Sequence, residues 1–121
     1  MHWTEITPRL FGAIVVLDLR GVLTLAEEDR QLLPAIAGML ERGSRAFLLN
    51  LQHVFYIDSQ GIGEIIGAYT RVTRQGGTLK LCNVSPRVTE VLRATNLDGV
   101  LESFDDEAAA LRDMSREPLQ G

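Results

Sequence analysis

The residues best suited to chemistry in this sequence lie in the run YIDSQGIG, which spans residues 56–63. Ser59 follows the carboxylate of Asp58 and precedes two glycines, Gly61 and Gly63. A serine in this setting can act as a nucleophile, help bind a phosphate, cap a helix or be modified by another protein. The local sequence alone leaves these four roles open.

The pattern around Ser59 argues against an enzyme. A nucleophile elbow has the form Gly-x-Ser-x-Gly, and Ile57 occupies the position of the first glycine, which must permit a strained turn. The run GIGEIIG differs in its spacing from the dinucleotide-binding fingerprint. His2, His53 and the single cysteine, Cys82, have no zinc-type ligand spacing. We therefore predict a protein that is not an enzyme and that uses no cofactor and no metal.

Composition and charge indicate an acidic globular protein. Hydrophobic residues make up 45% of the 121 residues and charged residues 23%, which excludes a disordered or fibrous chain. The formal net charge is -4 and the basic residues are scattered, so no nucleic acid partner is expected. No apolar run reaches the roughly 20 residues that span a bilayer, and the first residues lack a signal-peptide pattern. We expect a cytoplasmic chain without direct membrane insertion.

The elements that must position Ser59 follow an α/β order within one domain, residues 1–121, with a core over about 5–114 and a flexible tail at 115–121. Pro8 places the first strand at a sheet edge, and a turn at Gly12 leads to a second strand buried on both faces. The predicted strands are 4–11, 14–21, 45–51, 78–84 and 100–104, and the predicted helices are 24–43, 59–77, 85–96 and 105–114. This order predicts a mixed sheet of about five strands, formed by an early hairpin and then β-α-β alternation, with about four helices packed largely on one side.

The first predicted helix has an uncertain start. Thr24 and Glu27 have the spacing of a capping box. Pro34 must then either kink the helix or restart it. The boundary between these two possibilities stays open in the sequence.

The helix that begins near Ser59 carries two stripes of residues. Helical spacing places a core face at Ile62, Ile65, Ile66, Tyr69 and Val72. A second stripe of mostly small residues contains Ser59, Gly63, Gly67, Thr70 and Arg74. Each glycine inside a helix costs about 0.8–1 kcal/mol relative to alanine, so both glycines call for a compensating contact. Another helix of the domain or the backbone of a partner protein would supply it equally well.

Three runs in the chain, RAFLLNL, FYIDSQGIGEII and GGTLKLCNVSPRVTEVL, resemble the STAS domain of bacterial anti-sigma factor antagonists. The resemblance covers roughly residues 5–114, and LRGVLTL matches the Gly-x-Leu loop of the family. It implies that Ser59 is phosphorylated by a partner that is both an anti-sigma factor and a serine/threonine kinase. The unphosphorylated chain would bind this partner and free the sigma factor, and a protein phosphatase would reset the cycle.

The resemblance also implies a partner-binding surface around the phosphorylation site. Its members are Asp58, Ser59, Gln60, Gly61, Gly63, Gly67 and Thr24. Thr24 stands where many family members carry aspartate, and its alternative role is a helix cap. Gln60 stands where another hydroxyl residue is usual. The alternative function is that of a STAS scaffold or a small cytoplasmic subunit, in a stressosome-like assembly or in a lipid or anion transport complex.

Two further expectations concern the surroundings of Ser59. Free amides at the helix start, flanked by Gly61, are expected to hold a phosphate on Ser59, while the Asp58 carboxylate repels it outward. Phe55 and Tyr56 are either exposed contact residues or core residues, because a shift of one residue in strand register exchanges their faces.

Overall fold

The computed structural model describes residues 4–23 and 31–116, which form one five-stranded sheet and four helices. The strands are β1 (Thr4–Phe11), β2 (Ile14–Leu23), β3 (Ala46–Ile57), β4 (Thr78–Cys82) and β5 (Ser103–Phe104). The helices are α1 (Leu32–Glu41), α2 (Ser59–Arg74), α3 (Pro86–Ala94) and α4 (Glu107–Arg116). The strands lie in the order in which they occur in the chain. β1 is antiparallel to β2, and all later pairs are parallel, so the predicted mixed sheet is confirmed.

The β1–β2 hairpin forms one edge of the sheet. Pro8 lies in β1, which pairs only with β2, so its missing N–H does not interrupt an interior ladder. The turn uses Gly12 at a φ of 60°, a left-handed conformation that glycine adopts without strain. Both the edge position of β1 and the hairpin are therefore as predicted.

Two of the three inner strands, β2 and β3, are apolar on both faces over much of their length. Alternate residues of β2 and β3 face α1, α2 and α3 in the main core, and the residues between them face α4. The predicted core residues Phe47, Leu49 and Leu51 belong to the first group and are fully buried. Three helices on one face and α4 on the other agree with the expected packing, largely on one side.

Several element boundaries differ from the predictions. Pro34 lies in the first turn of α1, which begins at Leu32, so it neither kinks the helix nor removes a needed hydrogen bond. The capping-box residues Thr24 and Glu27 lie outside the described residues. β3 runs on to Ile57 because its second half pairs with the end of β2. α4 includes residues 115 and 116, which corrects the predicted start of the tail.

Candidate functional site

Ser59 lies where the longest strand of the sheet meets the longest helix. β3 ends at Ile57, α2 begins at Ser59, and only Asp58 separates them. The second half of β3 extends past the short strand β4, which pairs with β3 only at residues 46–50 and with β5 on its other side. The strand therefore carries Ser59 beyond the body of the sheet, and the serine is exposed.

Asp58 caps α2. Its backbone is extended, and its Oδ1 accepts hydrogen bonds from the N–H groups of Gln60 at 3.0 Å and Gly61 at 2.8 Å. The Asp58 carbonyl accepts the first helical bond, from Ile62 N–H at 2.9 Å. Among the described residues the Ser59 hydroxyl makes no hydrogen bond. The structure makes Asp58 the cap of α2, so the cap role that the sequence allowed for Ser59 is wrong.

The same contacts correct the expectation that first-turn amides hold a phosphate on Ser59. The amides of Gln60 and Gly61 already donate to the carboxylate of Asp58. A phosphate on Ser59 would have to displace that carboxylate or remain beside it with like charge. The second arrangement keeps the cap and leaves the phosphate in solvent, as the predicted repulsion by Asp58 requires.

The two glycines of the small-residue stripe have different surroundings. A methyl group placed on Gly67 would lie 3.3 Å from the Leu33 Cδ1 atom, so α1 and α2 approach closely there. A methyl group placed on Gly63 would meet no atom of the described residues within 4 Å, apart from its chain neighbours and the nearby backbone of α2. Packing within the domain thus accounts for Gly67, whereas the exposed Gly63 has no compensating contact among the described residues.

The remaining predicted partner-binding residues occupy the same end of α2 with unequal exposure. Gln60 is exposed, Asp58 is half-buried and Gly61 is buried. Thr24 lies outside the described residues. The partner-binding role of the whole set remains a prediction.

Phe55 and Tyr56 are surface residues. Phe55 is 74% exposed and Tyr56 43% exposed, although both lie in β3 just before the site. The Arg87 guanidinium lies over the Tyr56 ring, 5.8 Å from its centroid. The sequence could not assign these faces because the register of β3 against β2 shifts after Asp18. Arg87, which the sequence analysis did not select, gives this aromatic surface a positive charge.

Glu64 is a second residue that the sequence analysis missed. It is buried in α2, and its Oε2 accepts a hydrogen bond from Leu32 N–H at 3.2 Å. This bond ties the start of α1 to α2 and so positions Leu33 against Gly67. The detectable signal was an acidic residue beside the core face of an otherwise apolar helix segment.

The described residues contain no group of His, Cys, Asp and Glu side chains arranged to hold a metal ion. The buried thiol of Cys82 is no substitute nucleophile, because burial raises its pKa to about 12. Within the same part of the chain, no helix has the length and apolar character needed to cross a membrane.

The family model for the STAS domain matches residues 5–110 of the chain. The chain belongs to the STAS domain family. The match covers the Asp58–Ser59 junction and the sheet from Glu5 onward, so the family resemblance seen in the sequence is confirmed.

Known proteins similar to this STAS domain carry related names. The anti-sigma F factor antagonist of Paenibacillus polymyxa is 26% identical over 101 residues, which cover 84% of this chain and 86% of the relative. An anti-sigma-factor antagonist (STAS) domain protein from Planctomyces limnophilus has a solved structure with a TM-score of 0.77. It is 25% identical, and the match covers 91% of this chain and 97% of that one.

The Bacillus protein SpoIIAA has been solved in two forms that share the fold of this STAS domain. The unphosphorylated form, an anti-sigma factor antagonist, has a TM-score of 0.74 and 22% identity, covering 93% of this chain and 99% of that one. The phosphorylated form has a TM-score of 0.69 and 22% identity, covering 90% of this chain and 99% of that one. At this identity the likeness establishes the fold alone.

Proposed function

We propose that this STAS domain is an anti-sigma factor antagonist whose partner binding is controlled by phosphorylation of Ser59. The observation that carries the proposal is that Asp58 caps α2 while the Ser59 hydroxyl stays exposed. Asp58 accepts hydrogen bonds from the amides of Gln60 and Gly61, and the exposed Ser59 hydroxyl makes none with the described residues, so it is available to a kinase. The antagonist function is supported by the name of the Paenibacillus relative, and phosphorylation by the existence of a phosphorylated SpoIIAA.

The proposed partner is an anti-sigma factor that is also a serine/threonine kinase. In the unphosphorylated state its backbone would approach the exposed Gly63, where the described residues leave room for it. The binding surface would extend along the first turns of α2, over Ser59 and Gln60. Binding would sequester the anti-sigma factor and release its sigma factor, so the domain acts in the cytoplasm by association and not by turnover.

Phosphorylation would end the association through local repulsion and bulk. The kinase transfers the γ-phosphoryl group of ATP to the Ser59 oxygen, ADP leaves, and the hydroxyl proton passes to a base of the kinase. The phosphate adds about -1.5 to -2 charges at neutral pH, directly beside the Asp58 carboxylate. Because the cap already occupies the nearest amides, the new charge would face the partner without refolding of the domain. A protein phosphatase would restore the binding form.

The proposal is tested first by the intact mass of the chain purified from its own cells, before and after phosphatase treatment, with the modified residue located by fragmentation. We expect one phosphatase-sensitive phosphate, on Ser59. The unmodified chain should then capture a kinase that phosphorylates it with ATP. Ser59→Ala should keep this binding in the presence of ATP, while the wild type should lose it.

Ser115→Ala is the matched control, because Ser115 is also an exposed helical serine and lies on α4, across the sheet from α2. It should behave as the wild type. A chain that carries no phosphate under several growth conditions, or a Ser59→Ala variant still released by the kinase and ATP, would contradict the proposal. The first result would favour the constitutive scaffold or subunit role, and the second would place the switch on a residue other than Ser59.

A further inference from the structure

A groove follows the seam between α1 and α2 at the end of α2 that is distant from Ser59. Its volume is about 510 Å³, and it is lined by Leu33, Gly67, Thr70, Arg71, Arg74 and Gln75. Leu33 and Gly67 form an apolar floor, since their close approach brings the two helices together. Polar side chains from the last turns of α2 form the rim. The groove thus has the layout of a protein-contact surface, an apolar strip with polar edges.

The rim of the groove is basic in a protein that is acidic as a whole. Arg71 and Arg74 are both exposed, and neither forms an ion pair with any of the described residues. The complete chain has a formal net charge of -4. These two guanidinium groups lie beside the hydroxyl of Thr70 and favour carboxylates as ligands. Arginine binds a carboxylate through two parallel N–H donors.

The groove and Ser59 belong to one continuous surface of α2. Gly67, Thr70 and Arg74 continue the stripe that begins with Ser59 and Gly63. At 1.5 Å per residue, the distance along the helix axis from Ser59 to Arg74 is about 22 Å. A single helix of four turns in a partner protein is long enough to contact both ends.

We propose that this groove binds an acidic segment of the same anti-sigma factor that contacts Ser59. The inference rests on the proposed function and adds the chemistry of the partner surface. The partner's carboxylates pair with Arg71 and Arg74, while the other end of its segment lies against Gly63 and the Ser59 hydroxyl. The charge of the groove guides association, and the state of Ser59 decides whether the complex persists.

The test compares the full-length chain with the double variant Arg71→Glu/Arg74→Glu. The probe is the purified anti-sigma factor kinase of the same organism, identified by its capture on the unphosphorylated chain. We expect the charge reversal to slow association about tenfold or more at low salt, and the difference to narrow as NaCl is added. Arg112→Glu reverses one exposed arginine on the opposite face of the sheet, half the total charge change of the double variant, and should stay within about twofold of the wild type.

A second double variant controls for destabilisation of the C-terminal end of α2. Arg71→Gln/Arg74→Gln removes the charges without placing acids at the C-terminus of α2, where they are unfavourable. It should give an intermediate association rate with an unchanged circular dichroism spectrum. In ¹⁵N spectra, the Nε resonances of both arginines should shift when the unlabelled anti-sigma factor is added.

Several results would overturn the proposal. One is an association rate equal to that of the wild type for both double variants. Another is an equal loss of association rate in Arg112→Glu, which would show that net charge, and not the groove, controls association. A change confined to self-association in sedimentation velocity would assign the groove to a second copy of this chain. If phosphorylation of Ser59 abolishes binding while the arginine variants bind normally, the switch stands and the groove is excluded. If no anti-sigma factor binds the unphosphorylated wild type, both proposals are wrong.

Discussion

At the scale of single residues, the adjacent side chains of Asp58 and Ser59 at the start of α2 have different roles. Asp58 precedes the helix with φ -112° and ψ -177°, an extended backbone that brings its carboxylate to the second and third amides. Ser59 is already helical, and its hydroxyl is left exposed. A phosphate can therefore be added to Ser59 while the cap of the helix stays in place.

This separation predicts unequal effects on stability. Asp58→Ala should lower the free energy of unfolding by about 1 kcal/mol, because two first-turn amides lose their acceptor. Asp58→Asn retains an acceptor oxygen and should retain most of the stability. Ser59→Ala should change stability by less than about 0.5 kcal/mol. Urea unfolding of the three variants measures this order, and an equal loss in Ser59→Ala and Asp58→Ala would show that the serine is the cap.

At the scale of elements, the stripe of small residues on α2 is divided between two uses. Gly67 lets α1 pack against α2 through Leu33, and Glu64 holds the start of α1 in place. Gly63 has no such neighbour among the described residues. The cost of glycine in a helix is thus offset inside the domain at Gly67 and, in the proposed function, by the partner at Gly63.

The division predicts that alanine acts differently at the two glycines. Gly63→Ala should raise the free energy of unfolding by about 0.8–1 kcal/mol, because the methyl group enters open space and helix propensity improves. Gly67→Ala should raise the free energy of unfolding by less, because the added methyl group lies 3.3 Å from Leu33 Cδ1 and the Leu33 side chain must shift to make room.

A double-mutant cycle separates the contact with Leu33 from helix propensity. Leu33→Ala alone removes apolar packing. In the Leu33→Ala background, Gly67→Ala should raise the free energy of unfolding by the full gain of about 0.8–1 kcal/mol that helix propensity supplies. Urea unfolding of the four chains gives the coupling energy. Additive effects would exclude the contact with Leu33 as the reason for the difference between the two glycines.

At the scale of the whole molecule, a polar cluster joins the hairpin, the inner strands and the last helix. Arg9 Nε donates to Asp18 Oδ2 at 2.6 Å, and the same guanidinium pairs with Glu107. Asn50 Nδ2 donates to Asp18 Oδ1 at 2.9 Å, and Asn83 Nδ2 donates to Asn50 Oδ1 at 2.9 Å. Asp18 lies on the same face of β2 as Ile14 and Val16, which pack against α4. The polar cluster therefore links α4 to the sheet beside this apolar contact.

Asp18 should make stability depend on pH. Hydrogen bonds from Arg9 lower its pKa below the ordinary 3.8, against the opposing effect of burial. The ionised carboxylate therefore favours the folded state at any pH above about 4, and this contribution is lost as the pH falls through the lower folded-state pKa. Asp18→Asn should be less stable than the wild type at pH 7, with a gap that narrows below about pH 4.

Urea unfolding at several pH values from 7 to about 3 measures this gap. Glu90→Gln is the matched control, since Glu90 is an exposed acidic residue of α3 without an ion pair to the described residues. Its stability should follow that of the wild type across the range. A gap for Asp18→Asn that is constant with pH would mean that the ionised carboxylate contributes nothing.

The sequence by itself determined the features that depend on near neighbours in the chain. Apolar residues on both faces of β2 predicted an inner strand, Pro8 predicted the edge strand, and helical spacing predicted the core face of α2. Ser85 and Pro86 likewise mark the start of α3, where the Ser85 hydroxyl accepts from Val88 N–H at 3.2 Å. The motif around Ser59 identified the family and placed the candidate phosphorylation site at the junction of a strand and a helix.

Only the tertiary structure decided the features that depend on where distant segments meet. The backbone angles at Asp58 chose between two neighbouring cap residues of similar propensity. The approach of Leu33 separated Gly67 from Gly63, and the shifted register of β3 placed Phe55 on the surface. Arg9 and Glu107 are 98 residues apart and no local pattern links them. Periodicity and capping are set by backbone geometry within a few residues, whereas packing and ion pairs depend on the relative positions of whole elements.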